Sequence, residues 1–181
     1  MTNHTQLSNL ESRTSKRHLD KGVPYKPCPS MSLKNTPFLS AHLSVIAHAT
    51  EDIGKVEKAT KFLLQLISRA ETNLTRQYAR GHHGNVIATI SAKLAGKALD
   101  ANALQVIARK LSESEKQFLK NDIERCVDEE GSLYLRFDKQ EAFLGSVTLC
   151  QGDPIRMKLK FAFGYDSDRI VDLCRESGLV S

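Results

Sequence analysis

In residues 155 to 163 the odd positions Ile155, Met157, Leu159, Phe161 and Phe163 are apolar, and the even positions Arg156, Lys158 and Lys160 are basic. Successive side chains of a strand point to opposite faces, so this two-residue period specifies a strand with one face in a core and the other cationic. Such a strand needs neighbours of the same kind. Residues 39 to 49 set Leu43, Val45 and Ala47 against His42, Ser44 and His48, and residues 133 to 138 set Leu133, Leu135 and Phe137 against Tyr134, Arg136 and Asp138. Residues 72 to 80 and 86 to 94 read as two more strands, joined through Gly81-His82-His83-Gly84-Asn85 as a hairpin. A sixth strand is expected over residues 144 to 150, with Gly152-Asp153-Pro154 as the turn that follows it.

Helical spacing appears between these runs. Val56, Ala59, Phe62, Leu63, Leu66 and Ile67 recur at intervals of three and four after Thr50-Glu51-Asp52, where Asp52 or Thr50 supplies a capping oxygen. Two further helices are expected over 97 to 111 and 113 to 127, and a last one over 167 to 177. Several strands follow one another without an intervening helix. That order predicts an α+β fold, a mostly antiparallel sheet with helices packed on one face.

Charge is unevenly placed. The chain of 181 residues carries +5, and residues 1 to 37, with Pro24, Pro27 and Pro29 and no hydrophobic period, hold most of the excess. They are expected to be a disordered basic tail ahead of one domain over 38 to 181, and Met31 is a candidate alternative start. Within the domain, residues 113 to 130 and 166 to 176 are net acidic, which leaves the remainder basic and the surface polarised. No apolar run approaches the roughly 18 residues of a membrane span, and no signal-peptide core is visible near the N-terminus, so a cytoplasmic protein with no membrane partner is expected. The four cysteines, Cys28, Cys126, Cys150 and Cys174, stand singly, which suits free thiols and argues against a cysteine-based metal site. No cofactor and no metal are expected.

The strand periods also select candidate binding residues. Arg156, Lys158 and Lys160 share one side of their strand, Tyr134 and Arg136 one side of theirs, and Arg76, Tyr78 and Arg80 one side of a third. Guanidinium, ammonium and aromatic groups on an open sheet face neutralise phosphates and stack unpaired bases. The competing explanation is a solvated sheet whose lysines and arginines merely guard its edges. In the loop, His82, His83 and Asn85 between two glycines are candidates for phosphate contacts, against the plainer reading of a hairpin turn. Lys139 joins the set from Asp138-Lys139-Gln140-Glu141, which otherwise reads as a polar turn with local ion pairs.

Three segments together carry a resemblance: His48-Ala49-Thr50-Glu51-Asp52, Gly81-His82-His83-Gly84-Asn85, and Leu133-Tyr134-Leu135-Arg136-Phe137-Asp138-Lys139-Gln140. In order and spacing, over nearly all of residues 39 to 165, the chain resembles the archaeal family of RNA-binding proteins also described as predicted exosome subunits. Val86 stands where that family commonly has Pro. The resemblance implies the fold of the large-subunit ribosomal protein that docks 5S rRNA, an archaeal cytoplasmic setting, and partners among exosome or ribosomal components.

The leading expectation is therefore a non-catalytic RNA-binding protein, an accessory factor of RNA degradation or ribosome assembly. A second reading is an adaptor that docks a partner protein through the acidic residues 113 to 130. A third is an RNA-cleaving enzyme using His82 and His83 as acid and base.

Overall fold

The computed structural model describes residues 36 to 81 and 84 to 180. Residues 1 to 35 of the tail expected over 1 to 37, and the His82 and His83 assignments, lie outside the described residues; Pro37 is buried instead, its carbonyl accepting the Ala162 N–H at 2.9 Å.

The first strand, β1 (Phe38–Ala47), alternates buried and accessible residues as its sequence predicts, with Ala41, Leu43, Val45 and Ala47 inside. The helix α1 (Ile53–Ile67) follows, and Asp52 rather than Thr50 caps it, its carboxylate accepting the Lys55 N–H at 3.1 Å. It buries Val56, Ala59, Leu63, Leu64 and Ile67 against the sheet. The hairpin β2 (Thr75–Arg80) and β3 (Val86–Ala95) is present, closed by the Gly81 N–H on the Asn85 carbonyl at 2.8 Å.

The expected helix over 97 to 111 is shorter and broken. A 3-10 turn at Gly96–Ala98 comes first, and regular α2 spans only Ala103–Ala108. The turn exists because Gly96 lies against β1: a Cβ there would stand 1.9 Å from the Phe38 carbonyl oxygen. Next, α3 (Glu113–Asp122) starts with a reciprocal capping box between Ser112 and Glu115 and frays through a 3-10 turn to Cys126. Val127, read from its sequence as helical, instead opens the two-residue strand β4 (Val127–Asp128), paired with β5 (Ser132–Phe137).

The largest correction concerns residues 139 to 150. The segment 144 to 150 is not a strand. Asp138 accepts the N–H groups of Gln140 and Glu141 at 2.8 and 2.9 Å and nucleates α4 (Lys139–Leu144), which stops at Gly145 with φ +88°. Beyond it the chain makes a single bridge, Phe137 to Leu149, with the Thr148 carbonyl accepting the Asp138 N–H and the Arg136 carbonyl accepting the Cys150 N–H. An Asp cap followed by Lys-Gln-Glu-Ala-Phe-Leu is a helix start, which a polar-turn reading overlooks. The chain then forms β6 (Ile155–Phe161) and α5 (Ser167–Glu176), capped by Asp166.

Among the described residues six strands pair antiparallel in the order β2-β3-β1-β6-β5-β4. Buried residues of the five described α-helices join the apolar face of this sheet in one core, so the architecture is the expected α+β fold. Cys126, Cys150 and Cys174 are free thiols, and burial pushes Cys174 up to about 12.

Candidate nucleic-acid interface

Directly paired residues on neighbouring strands project to the same side of a sheet, so the register settles which face each side chain joins. Leu43 pairs with Met157 and with Ala92, all buried, which marks the helix-covered face. The intervening residues form the open face in cross-strand rows. One row runs Lys93, His42, Lys158, Tyr134 across β3, β1, β6 and β5; the next runs Ser91, Ser44, Arg156, Arg136. A third joins Ser40 to Lys160 and ends at Ser132, which is buried. Arg136, Arg156, Lys158, Lys160 and Tyr134 therefore do come together on one face, as their strand periods predict.

Arg76, Tyr78 and Arg80 do not. Arg76 pairs with Ile90, Tyr78 with Ala88, and Arg80 with Val86, which places all three on the opposite, helix-covered side. Both Glu57 carboxylate oxygens on α1 accept from Arg76, one of them at 2.7 Å, and the ion pair favours the charged guanidinium. The expectation of one shared face fails here because β2 has no buried residue to set its phase; all six positions are exposed. A signal is present nonetheless: Leu74, two residues before Arg76, packs against the core.

Lys139 is also withdrawn from the phosphate-contacting set. It is buried, and its ammonium donates to the Ile46 carbonyl at 2.7 Å, to Glu51 at 2.9 and 3.0 Å, and to Asp153 at 2.6 Å. His48 Nε2 lies 3.3 Å from the other Asp153 oxygen. Burial works against the Asp153 carboxylate, but Lys139 and His48 outweigh it and hold its carboxyl below the usual range. The ligand-type atoms of His48, Glu51 and Asp153 lie within 4.8 Å of one another, a spacing that a metal ion could use. The ammonium of Lys139 already occupies that role between the two carboxylates, so the cluster reads as a clamp joining α4 to the end of β1. Two of the three segments that carry the family resemblance meet at this clamp, through Glu51 and Lys139. Asn85 is exposed beside the hairpin turn.

The open face is electrostatically one-sided. Among its described strand positions the single acid is Asp128, at the β4 edge. Burial opposes the Asp128 carboxylate, yet the Tyr134 hydroxyl, which donates to it at 2.8 Å, the Ser132 N–H at 2.8 Å and Lys158 hold its carboxyl low. The Lys158 ammonium sits 4.9 Å from the Tyr134 ring centre and 3.7 Å from Asp128, and these neighbours favour its charged form. Arg136 donates to Gln151 at 3.2 Å, and Lys160 lies 3.6 Å from Glu130. Among the described residues Arg156 and Lys93 make no salt bridge. Lys93 and His42 also belong to this face, although neither is among the candidates that the basic strand periods select. Lys93 lies between Ala92 and Leu94, and His42 between Ala41 and Leu43, as the same alternation requires.

The acidic segment 113 to 130 is largely committed within the chain. Glu115 closes the capping box and accepts the Leu149 N–H at 2.8 Å, Glu113 pairs with Lys116, and Asp122 pairs with Arg125.

Known proteins similar to this chain are relatives in sequence and in fold. The RNA-binding protein PAB1135 of Pyrococcus abyssi is 32% identical over 145 residues, covering 76% of this chain and 94% of its own. The uncharacterized protein MJ0213 of Methanocaldococcus jannaschii is 34% identical over 118 residues, covering 64% of this chain and 78% of its own. Among solved structures, the DUF54 protein AF2318 of Archaeoglobus fulgidus matches with a TM-score of 0.61 at 27% identity, over 77% of this chain and 99% of that one. A UPF0201 protein of Methanococcus jannaschii, 18% identical, shares the fold, with a TM-score of 0.56 over 79% of this chain and 95% of that one. The family model described as RNA binding matches residues 40–161, from the first strand through the last, and the chain belongs to that family.

Proposed function

We propose that this protein is a non-catalytic RNA-binding protein and that the open face of its sheet is the binding surface. The observation that carries the reading is the convergence of Lys93, Arg136, Arg156, Lys158 and Lys160 with Tyr134 on the face opposite the one that packs, among the described residues, against the helices. Cations in rows neutralise successive phosphates, and an accessible tyrosine ring among them offers a stacking surface for a base. The name of the Pyrococcus relative supports the same ligand class. An accessory role in RNA degradation or ribosome assembly, carried out in the cytoplasm, is the narrower form of this proposal. It would be tested by isolating the protein with its RNA and identifying exosome or ribosomal partners.

The two faces of the sheet provide an internal control. Replacing Arg156, Lys158 and Lys160 together with Ala should weaken single-stranded RNA binding and reduce the slope of log affinity against log salt by about 2, since each lost phosphate contact removes about 0.7. Replacing Arg76 and Arg80, which lie on the other face, should leave that slope unchanged within error. Equal effects from the two variants, or none from the first, would return the open face to an ordinary solvated surface.

A further inference from the structure

We propose that His42 is a proton-coupled phosphate contact: the imidazole takes up a proton when an RNA phosphate seats across the Lys93, His42, Lys158 row, so affinity rises as pH falls. This rests on the reading of the open face as the RNA-binding surface, and it names a residue and a linkage which that reading does not contain.

The argument is geometric first. His42 lies in the central strand, directly between Lys93 on β3 and Lys158 on β6. Diagonal neighbours on β6 are Arg156 and Lys160, those on β3 are Ser91 and Ala95, and along its own strand it stands between Ser40 and Ser44. Every charged group facing it from these three strands is a cation. Of the described acids near that face, Asp128 lies beyond Lys158 and is engaged with Tyr134 and Lys158, and Glu130 lies beside Lys160.

An imidazole so placed resists protonation. Partial burial, then Lys93 and Lys158, hold its titration below the ordinary histidine value. A phosphate bridging the two lysines reverses the balance: it cancels their repulsion and gives the imidazolium an acceptor. The group's titration point is then higher in the complex than in the free protein. Linkage fixes the sign, since the state that binds more protons is favoured by acid, and binding strengthens as pH falls through the interval between the two values.

A short oligouridylate is the appropriate probe, because uracil carries no ring nitrogen that protonates in this interval. From about pH 8 to about pH 5.5, a window spanning the ordinary histidine range, affinity should rise by at most about tenfold per pH unit, the limit for one proton. Calorimetry in two buffers of different ionisation heat should register uptake of up to one proton per strand bound. In His42→Gln both the excess pH slope and the uptake should vanish. Retention of either in full would overturn the proposal and move the linkage to another histidine. A second measurement does not need RNA: the His42 imidazole resonances, titrated with and without tripolyphosphate, should shift to a higher midpoint when the polyanion is present. If no protein variant binds oligouridylate, the RNA reading falls; an unmoved His42 midpoint in tripolyphosphate overturns the present inference on its own.

Discussion

Gly96→Ala should cost at least about 3 kcal/mol of folding stability, or prevent soluble expression, because the added methyl meets backbone and not a movable side chain. Its Cβ would lie 1.9 Å from the Phe38 carbonyl oxygen, 2.9 Å from the Phe38 carbonyl carbon and 3.0 Å from the Leu39 oxygen. Those atoms belong to the start of the central strand, beside the register shift between Phe38 and Ser40. Relief therefore requires moving β1 relative to the 3-10 turn, or losing the first pairs of β1 with β3 and β6. Ordinary domains hold about 5–15 kcal/mol in total, so the loss is a large share. Gly152→Ala is the control, since a Cβ at that position would meet no atom within 4 Å and its φ is not in the left-handed region. That variant should stay within about 0.5 kcal/mol of the parent. Urea denaturation of both variants decides the matter: similar midpoints for the two would show that β1 and the turn accommodate each other freely.

Lys139→Met should lose about 2 to 3 kcal/mol. Methionine keeps the length of the stem but leaves the Ile46 carbonyl and the two carboxylates of Glu51 and Asp153 without their common donor. Breaking a fully buried ion pair costs about 3–5 kcal/mol; the figure is reduced here because Glu51 and Asp153 remain 30% and 50% exposed and regain water. The pH dependence has a definite sign. Asp153 titrates below its ordinary value in the folded protein, so its stabilising contribution is present above that ordinary value and is lost as pH falls through the lowered one. The gap between parent and variant should thus narrow below about pH 4. A gap under about 0.5 kcal/mol at neutral pH, or one that persists unchanged in acid, would deny Lys139 this role.

The same lysine illustrates what a one-dimensional reading can and cannot recover. In β5 and β6, buried alternate residues fix which side each cation takes, and Arg136, Arg156, Lys158 and Lys160 are legible from period alone. In β2 every position is exposed, so period separates its two sides without saying which one the helices cover. Lys139 follows an aspartate in a polar run, but its acceptors lie 14, 88 and 93 residues away along the chain. Only assembly of the sheet brings them together. Residues 144 to 150 mislead for a different reason: a short apolar run is compatible with either regular structure, and the deciding feature is the Asp138 cap upstream.

The strand order has a consequence for how the chain reaches this state. The two central strands are β1, the first of the described strands to be synthesised, and β6, the last of them, and they are neighbours, so that Phe38 pairs with Phe161. A ribosome-bound chain can join β1 to β3 early, through the local hairpin, but the other edge of β1 stays unpaired until nearly the whole domain has emerged. During that interval Leu43 and Val45 face an incomplete core beside an open row of backbone donors and acceptors, the surface on which strands from neighbouring chains aggregate. Closure by so distant a segment raises the contact order, which slows folding in general and lengthens the interval in which the half-sheet is open to its copies.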